Sequence, residues 1–391
     1  LYTFDIENMN VDDWANAILC MNLKDAYPIM QIVYRDTKGI ESYYTYQTQN
    51  GGNAGAVYLS DYNGQITVVK PVASYESSIM SYDLNLVYNS VFRKSRFTGT
   101  EKDIKTKNFA AMNLGIGWKL SAQETVISVN LEDVGENGST GSSWLVYNDS
   151  DGTEHYFRQS ENNEAKYEDE DGLSLTITKN GNDFTMEDKK GNSRFFKNGY
   201  LTKITDANGN VVHIIYNEQS VEKNIPKNDG TDTITSVLIE YKNPEDSTKT
   251  IKKEIFKLSY ESGYLKKIEE VYGREGNASG NYVSIEYEKR EGSDCLKRIK
   301  VYNGNTGGNA IETARYGYTN ECNEMTHVLD VESGRGLQYL YETSPTGRRV
   351  YRFLEYSQSD GVKTEGAKIS VTGDSLRKTV YTDHGPDRTY G

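Results

Sequence analysis

Proline, cysteine and histidine are scarce in this 391-residue chain, at 6, 3 and 4 copies. So few prolines exclude a polyproline stalk or linker. The three cysteines, Cys20, Cys295 and Cys322, form an odd set without C-x-x-C spacing. That excludes a disulfide-dense scaffold and a cysteine zinc site. Free small apolar residues are the expected reading, and a Cys295–Cys322 bond between adjacent repeats is the alternative. His155, His213, His327 and His384 stand far apart, with no H-E-x-x-H or Cys/His cluster among them, so no metal ligand is assigned. No G-x-S-x-G elbow, phosphate loop or run of ~18 apolar residues occurs.

The formal charge of −13 argues against a nucleic-acid partner, whose phosphates would be repelled. With 57 acidic residues, paired carboxylates carry little information. No catalytic, cofactor-binding or metal-binding residue is therefore named, and a non-enzyme is expected. The chain begins at Leu1 without a signal-peptide pattern and stops at Gly391 within a polar stretch. It is read as a piece of a longer protein.

What is abundant is tyrosine, 31 copies, and glycine, 35. Tyrosine favours strands and presents a flat body with a polar tip. Glycine-rich turns between tyrosine-rich strands predict an all-β protein. Residues 196–217, FKNGYLTKITDANGNVVHIIYN, show the unit most clearly. A strand at 200–204 is followed by an Asp/Asn/Gly turn at 206–210, then a β-branched strand at 211–216. The spacing recurs. Leu201, Ile204, Asp206, Gly209 and Tyr216 correspond to Met325, Val328, Asp330, Gly334 and Tyr341. Leu265, Ile268, Glu270, Gly273 and Tyr287 form a third copy, interrupted by an insertion at 274–281. Leu296, Ile299, Val301 and Gly304 form a fourth, closing at Tyr316 or Tyr318. Copies of one small unit imply stacking, since none buries its apolar face alone.

Upstream, residues 1–34 predict a strand at Phe4 and Ile6, a helical turn around Trp14 and a strand at 29–34. Asn63-Gly64 marks a hairpin, and 81–89 alternates as a strand. Residues 92–108 read as a basic surface loop. In LGIGWKL, 114–120, Gly115 and Gly117 would let the backbone approach a neighbour while Trp118 fills core space; a sugar-stacking Trp118 is the alternative. Hairpins are expected at 145–157, 173–187 and 236–260. Asp149-Ser150-Asp151-Gly152 and Asp169-Glu170-Asp171-Gly172 lack the later acidic anchor of a calcium loop and read as Asx-stabilised turns.

G-x-L-x-x-I-x-D-x-x-G-x-x-x-x-x-x-Y, matched by Gly199, Leu201, Ile204, Asp206, Gly209 and Tyr216, resembles the YD or RHS repeat. Asp83-Leu84, Tyr88-Asn89-Ser90 and the 115–120 stretch resemble the segment that leads such repeats. Residues 1–34 resemble the closing part of β-sandwich modules in Gram-positive wall-associated proteins. The resemblance implies a long β-sheet that spirals into a shell around a C-terminal toxin, or that forms part of a surface protein; teneurins look similar. It divides the chain into 1–36, a β-sandwich remnant; 37–130, a leading segment; and 131–391, the repeat sheet. The implied role is a non-enzymatic part of a secreted or wall-associated shell whose partner is a C-terminal toxin or effector beyond Gly391. The second reading is an adhesin that binds surface glycans or partner cells through exposed aromatics. A glycosidase is the third, and would need a cleft with two carboxylates at catalytic separation.

Overall fold

A computed structural model describes residues 17–22, 29–34, 39–61, 64–90, 114–130, 143–169, 172–226, 232–273, 277–290, 293–304, 308–319, 324–344, 347–357, 364–365 and 368–369. The strand and helical turn expected before residue 17, the loop at 92–108, Cys322, His384 and positions 170–171 lie outside the described residues. Strands and turns account for the fold, with short 3-10 turns at Gly52–Ala54 and Val221–Lys223 and no α-helix among the described residues. The all-β expectation holds.

Strands β1 (Ala17–Asn22) and β2 (Ile29–Tyr34) form a two-stranded antiparallel sheet. A five-stranded leading sheet follows: β3 (Tyr46–Asn50), β4 (Ala56–Ser60), β5 (Ile66–Glu76), β6 (Ser81–Asn89) and β7 (Trp118–Leu120), each paired with the next. The chain then enters a much larger sheet. Its first eight strands are β8 (Thr125–Asn130), β9 (Ser143–Asn148), β10 (Glu154–Ser160), β11 (Asn163–Asp169), β12 (Leu175–Asn180), β13 (Asp183–Asp188), β14 (Ser193–Lys197) and β15 (Tyr200–Thr205). They run as an up-and-down meander and close into a ring where β15 meets β8.

That closure is short. Thr125 faces Tyr200, the Val126 N–H donates to the Gly199 carbonyl at 2.8 Å, and the Leu201 N–H donates to the Glu124 carbonyl at 3.1 Å. Gly199 has φ +84°, and a Cβ there would lie 2.7 Å from the Val126 carbonyl oxygen, so glycine is what lets the two backbones meet. β15 thus divides its pairing: its start meets β8, and residues 203–205 pair with β16 (Val211–Tyr216).

From β16 the meander continues through β17 (Ile234–Lys242), β18 (Thr250–Glu261), β19 (Tyr264–Tyr272), β20 (Ala278–Arg290), β21 (Ser293–Tyr302), β22 (Ile311–Tyr318), β23 (Met325–Asp330), β24 (Arg335–Ser344) and β25 (Gly347–Ser357). A two-residue pair, 364–365 with 368–369, ends the described chain.

The repeat motif has a specific geometry in this stretch. In every second strand pair a tyrosine pairs with an apolar residue, and the ladder then skips one residue. The pairs are Tyr216–Ile234, Tyr260–Leu265, Tyr287–Leu296, Tyr318–Met325 and Tyr341–Val350. The skip is a β-bulge, which resets the alternation of faces. Without it, Leu and Ile three apart would point to opposite faces. With it, Leu265 with Ile268, Leu296 with Ile299 and Met325 with Val328 are all buried together. The L-x-x-I spacing is thus the sequence imprint of a bulged strand.

Consecutive bulges are tied by the tyrosine hydroxyls. Tyr260 donates to the Ile234 carbonyl, Tyr287 to Leu265, Tyr318 to Leu296 and Tyr341 to Met325, at 2.7 or 2.8 Å. In three of these the acceptor is the residue that opens the sequence repeat and the donor is the tyrosine that closes it. The fourth copy therefore closes at Tyr318, not Tyr316.

The leading sheet packs on the tyrosine-bearing face and shares one core with it. Tyr316 donates to the Ala54 carbonyl and Tyr339 to Gln49 Oε1, both at 2.8 Å. Glu270 and Asp330, which occupy the Asp position of the repeat, reach across to the Ser74 N–H and to Asn53 Nδ2. Trp118 is the central plug. It is 1% exposed, it packs edge-on to Tyr316 at 4.9 Å, and its Nε1–H donates to the Tyr318 hydroxyl. The close approach expected of the two glycines before it is present: a Cβ on Gly117 would lie 2.6 Å from the Tyr88 ring.

Candidate functional site

A group of buried polar and charged side chains lies where the chain leaves the leading sheet and enters the ring. β7 places Lys119 there, directly after Trp118, with its side chain pointing away from the tryptophan by strand alternation. The link to β8 supplies Glu124. β9 supplies Tyr147 and Asn148, the β9–β10 turn supplies Asp149 and Asp151, and β14 supplies Arg194.

Lys119 is fully buried, and its ammonium donates to Asn148 Oδ1 at 3.1 Å and to the Asp149 carbonyl. Burial lowers its pKa to about 8, with Asp149, Glu124 and Asp151 opposing. Asn148, also fully buried, donates its Nδ2 to the Gly152 carbonyl at 2.9 Å. Glu124 accepts the Tyr147 hydroxyl at 2.6 Å, and Arg194 Nε lies 3.2 Å from the same oxygen. Desolvation raises the Glu124 carboxyl, and Arg194 opposes the rise. Tyr147 is pushed well above its ordinary value by burial and by Glu124.

Asp149 holds its turn as an Asx cap: Oδ1 accepts the N–H groups of Asp151, Gly152 and Thr153 at 2.9–3.1 Å. Oδ2 lies 3.1 Å from His155 Nε2. Burial would raise this carboxyl, but the His155 hydrogen bond and charge bring it below its ordinary value. Asp151 is lifted to about 6 by burial and by Asp149.

The expectation of an Asx turn at Asp149 therefore matches the geometry, and the same D-x-x-G turn recurs at Asp188 and Asp206. Asp169 caps the Leu173 and Leu175 N–H groups. No cluster of three or more His, Cys, Asp or Glu suited to a metal occurs among the described residues. His213, 8% exposed, pairs with Glu240 at 3.0 Å, while His327 is buried on β23. The three described histidines are not brought together.

One expectation is corrected. Cys295 is disulfide-bonded, not a free thiol. Free small apolar residues are the simpler reading of the sequence. Of the other sequence candidates, Trp118, His213 and His327 are buried, while Asp149, Asp151, His155 and Asp169 are half-buried. What the sequence did not announce is the Lys119–Glu124–Asn148–Arg194 grouping. A charged residue sandwiched between Trp118 and Leu120 inside a short strand was its one local signal.

No family model and no curated protein matches the chain. Solved structures do. The crystal structure of TcdB2-TccC3 without its hypervariable C-terminal region is 10% identical over 85% of this chain, with a TM-score of 0.30. The N-terminal domain of the effector protein SpvB from Salmonella typhimurium strain LT2 is 8% identical over 75% of this chain and 99% of its own, with a TM-score of 0.22. The Photorhabdus luminescens Tc holotoxin pore is 8% identical over 82% of this chain, with a TM-score of 0.26. This chain spans only 17% of the TcdB2-TccC3 chain and 16% of the holotoxin chain.

Proposed function

We propose that the chain is a non-enzymatic wall segment of an RHS/YD-repeat shell, together with the leading sheet that lines it. The observation that carries this reading is the bulge-to-bulge series of tyrosine hydroxyl bonds through β17–β24. It spends four of the motif's tyrosine hydroxyls on holding hairpin to hairpin. In the intact protein the wall would enclose or present a C-terminal toxin or effector. The disulfide on Cys295 supports a secreted or cell-surface location, where an oxidising environment preserves such bonds.

The test is limited proteolysis of the full polypeptide. The segment that follows the wall should resist protease, and should become cleavable once β16–β25 are deleted. Protection that survives the deletion overturns the shell reading.

A second reading, glycan or cell adhesion, has one observation in its favour. Tyr282 and Tyr302 stack at 4.6 Å and 14°, half-buried, with Lys267 Nζ 4.4 Å from the Tyr282 ring. Silence on a glycan array would remove it.

A further inference from the structure

Lys119 and Asn148 bring an amine against a carboxamide with no water between them. Both side chains are fully buried, and Nζ stands 3.1 Å from Oδ1, adjacent to the Cγ carbon. The carboxamide is fixed by its Nδ2 bond to Gly152, and the amine by its second bond to the Asp149 carbonyl. We propose that these two side chains join in an intramolecular isopeptide bond.

The step is an aminolysis. The Lys119 Nζ lone pair adds to Asn148 Cγ, and the tetrahedral intermediate collapses by breaking Cγ–Nδ2. One N–C bond forms and one breaks. The proton lost from Nζ is delivered to the departing nitrogen, which leaves as ammonia. No oxidant, cofactor or second substrate is needed. Aminolysis of an amide is very slow between free molecules, but fixing both groups in contact supplies a large effective concentration.

The surroundings fit the chemistry. Burial favours the neutral, nucleophilic amine, as it does for desolvated reactive lysines. Glu124 is held by the Tyr147 hydroxyl at 2.6 Å and by Arg194 at 3.2 Å, and belongs to the same buried polar surroundings.

The product would have a mechanical use. Lys119 belongs to the last strand of the leading sheet, and Asn148 to the ring. The bond would close the loop between them and prevent the leading sheet from peeling away from the wall.

The experiment is intact-mass measurement of the purified full chain after reduction, before and after prolonged incubation at alkaline pH. Peptide mapping accompanies it. The expected result is a mass lower by one ammonia, and a branched peptide joining Lys119 to Asn148. Lys119→Met and Asn148→Ala should each restore the full mass. Asn148 precedes Asp149, so ammonia could also leave through a succinimide. In that event the loss persists in Lys119→Met and no branched peptide appears, which overturns the proposal. Wild-type chain that keeps its full mass, with the two peptides recovered separately, overturns it equally.

Discussion

Replacing Tyr318 with phenylalanine should be the most costly hydroxyl deletion in the wall. Its hydroxyl serves both layers at once: it donates to the Leu296 carbonyl and accepts from Trp118 Nε1, each at 2.8 Å. Tyr318 and Trp118 are 3% and 1% exposed, so water cannot replace either bond. A buried polar group left without a partner costs about 1–3 kcal/mol. Tyr318→Phe orphans two, which gives an expected loss of about 3 kcal/mol. Tyr287→Phe is the internal control. It deletes the equivalent bond to the Leu265 carbonyl in a half-buried setting, with no tryptophan attached, and should cost about 1 kcal/mol. Urea unfolding at unchanged slope gives both values from the midpoints. A cycle with Trp118→Phe should return a coupling of about 1 kcal/mol or more between positions 118 and 318. If Tyr318→Phe costs no more than Tyr287→Phe, or the coupling vanishes, the two layers are not joined at this point and the role given to Trp118 is wrong.

Three further outcomes follow from the same geometry. Gly199→Ala should open the ring, because the left-handed backbone and the 2.7 Å approach to the Val126 carbonyl leave no room for a methyl; a loss of at least about 2 kcal/mol is expected, with faster amide exchange at Val126 and Leu201. Burial lowers His327 from 6.5 to about 4, so the folded state resists its protonation. Its contribution is complete above pH 6.5 and is lost as pH falls towards 4, amounting to about 3 kcal/mol; His327→Gln should flatten that part of the acid unfolding curve. Asp206→Ala removes the acceptor for the Asn208 and Asn210 N–H groups and should cost about 1 kcal/mol, with Asp206→Asn recovering part of it, in thermal unfolding.

Much of the wall was legible because its motif is local. The turn at Asp206, the strand Val211–Tyr216 and the copies at 265, 296 and 325 all follow from residue types within about twenty positions. The meaning of the L-x-x-I spacing was not legible, since a bulge is a property of two strands. β11 was missed for another reason. Its sequence, NEAKYED, buries only Tyr167, so neither hydrophobic alternation nor β-branching marks it, and pairing with β10 and β12 makes it a strand. The repeat beginning at Ile234 escaped notice because Ile239 stands where the motif has Asp and a long loop precedes it. The buried polar grouping was the least visible. Glu124 and Arg194 lie in different strand neighbourhoods and meet only because the ring closes, and Lys119 reads as an ordinary solvent-facing strand residue until the β9–β10 turn is laid over it.

The same closure explains why the tyrosine series has a beginning. Each hydroxyl from Tyr260 onward reaches the carbonyl at the preceding bulge. By that rule Tyr216 should address Leu201, the opening residue of its own repeat. Its hydroxyl is buried yet has no hydrogen-bond partner among the described residues. Leu201 sits at the seam, where its N–H is bonded to the Glu124 carbonyl and β8 lies alongside. Tyr216 instead meets the Tyr200 ring edge-on at 5.9 Å. The β14–β15 hairpin that precedes it carries the same bulge, with Phe196 in the tyrosine's place opposite Leu201, and β8 pairs alongside; the Tyr216 hydroxyl is left unsatisfied at this junction. Tyr216→Phe should therefore be neutral or stabilising, whereas phenylalanine at Tyr260, Tyr287, Tyr318 or Tyr341 should destabilise. Comparable losses at all five positions, measured by the same urea midpoints, would show that the series has no terminus at the seam.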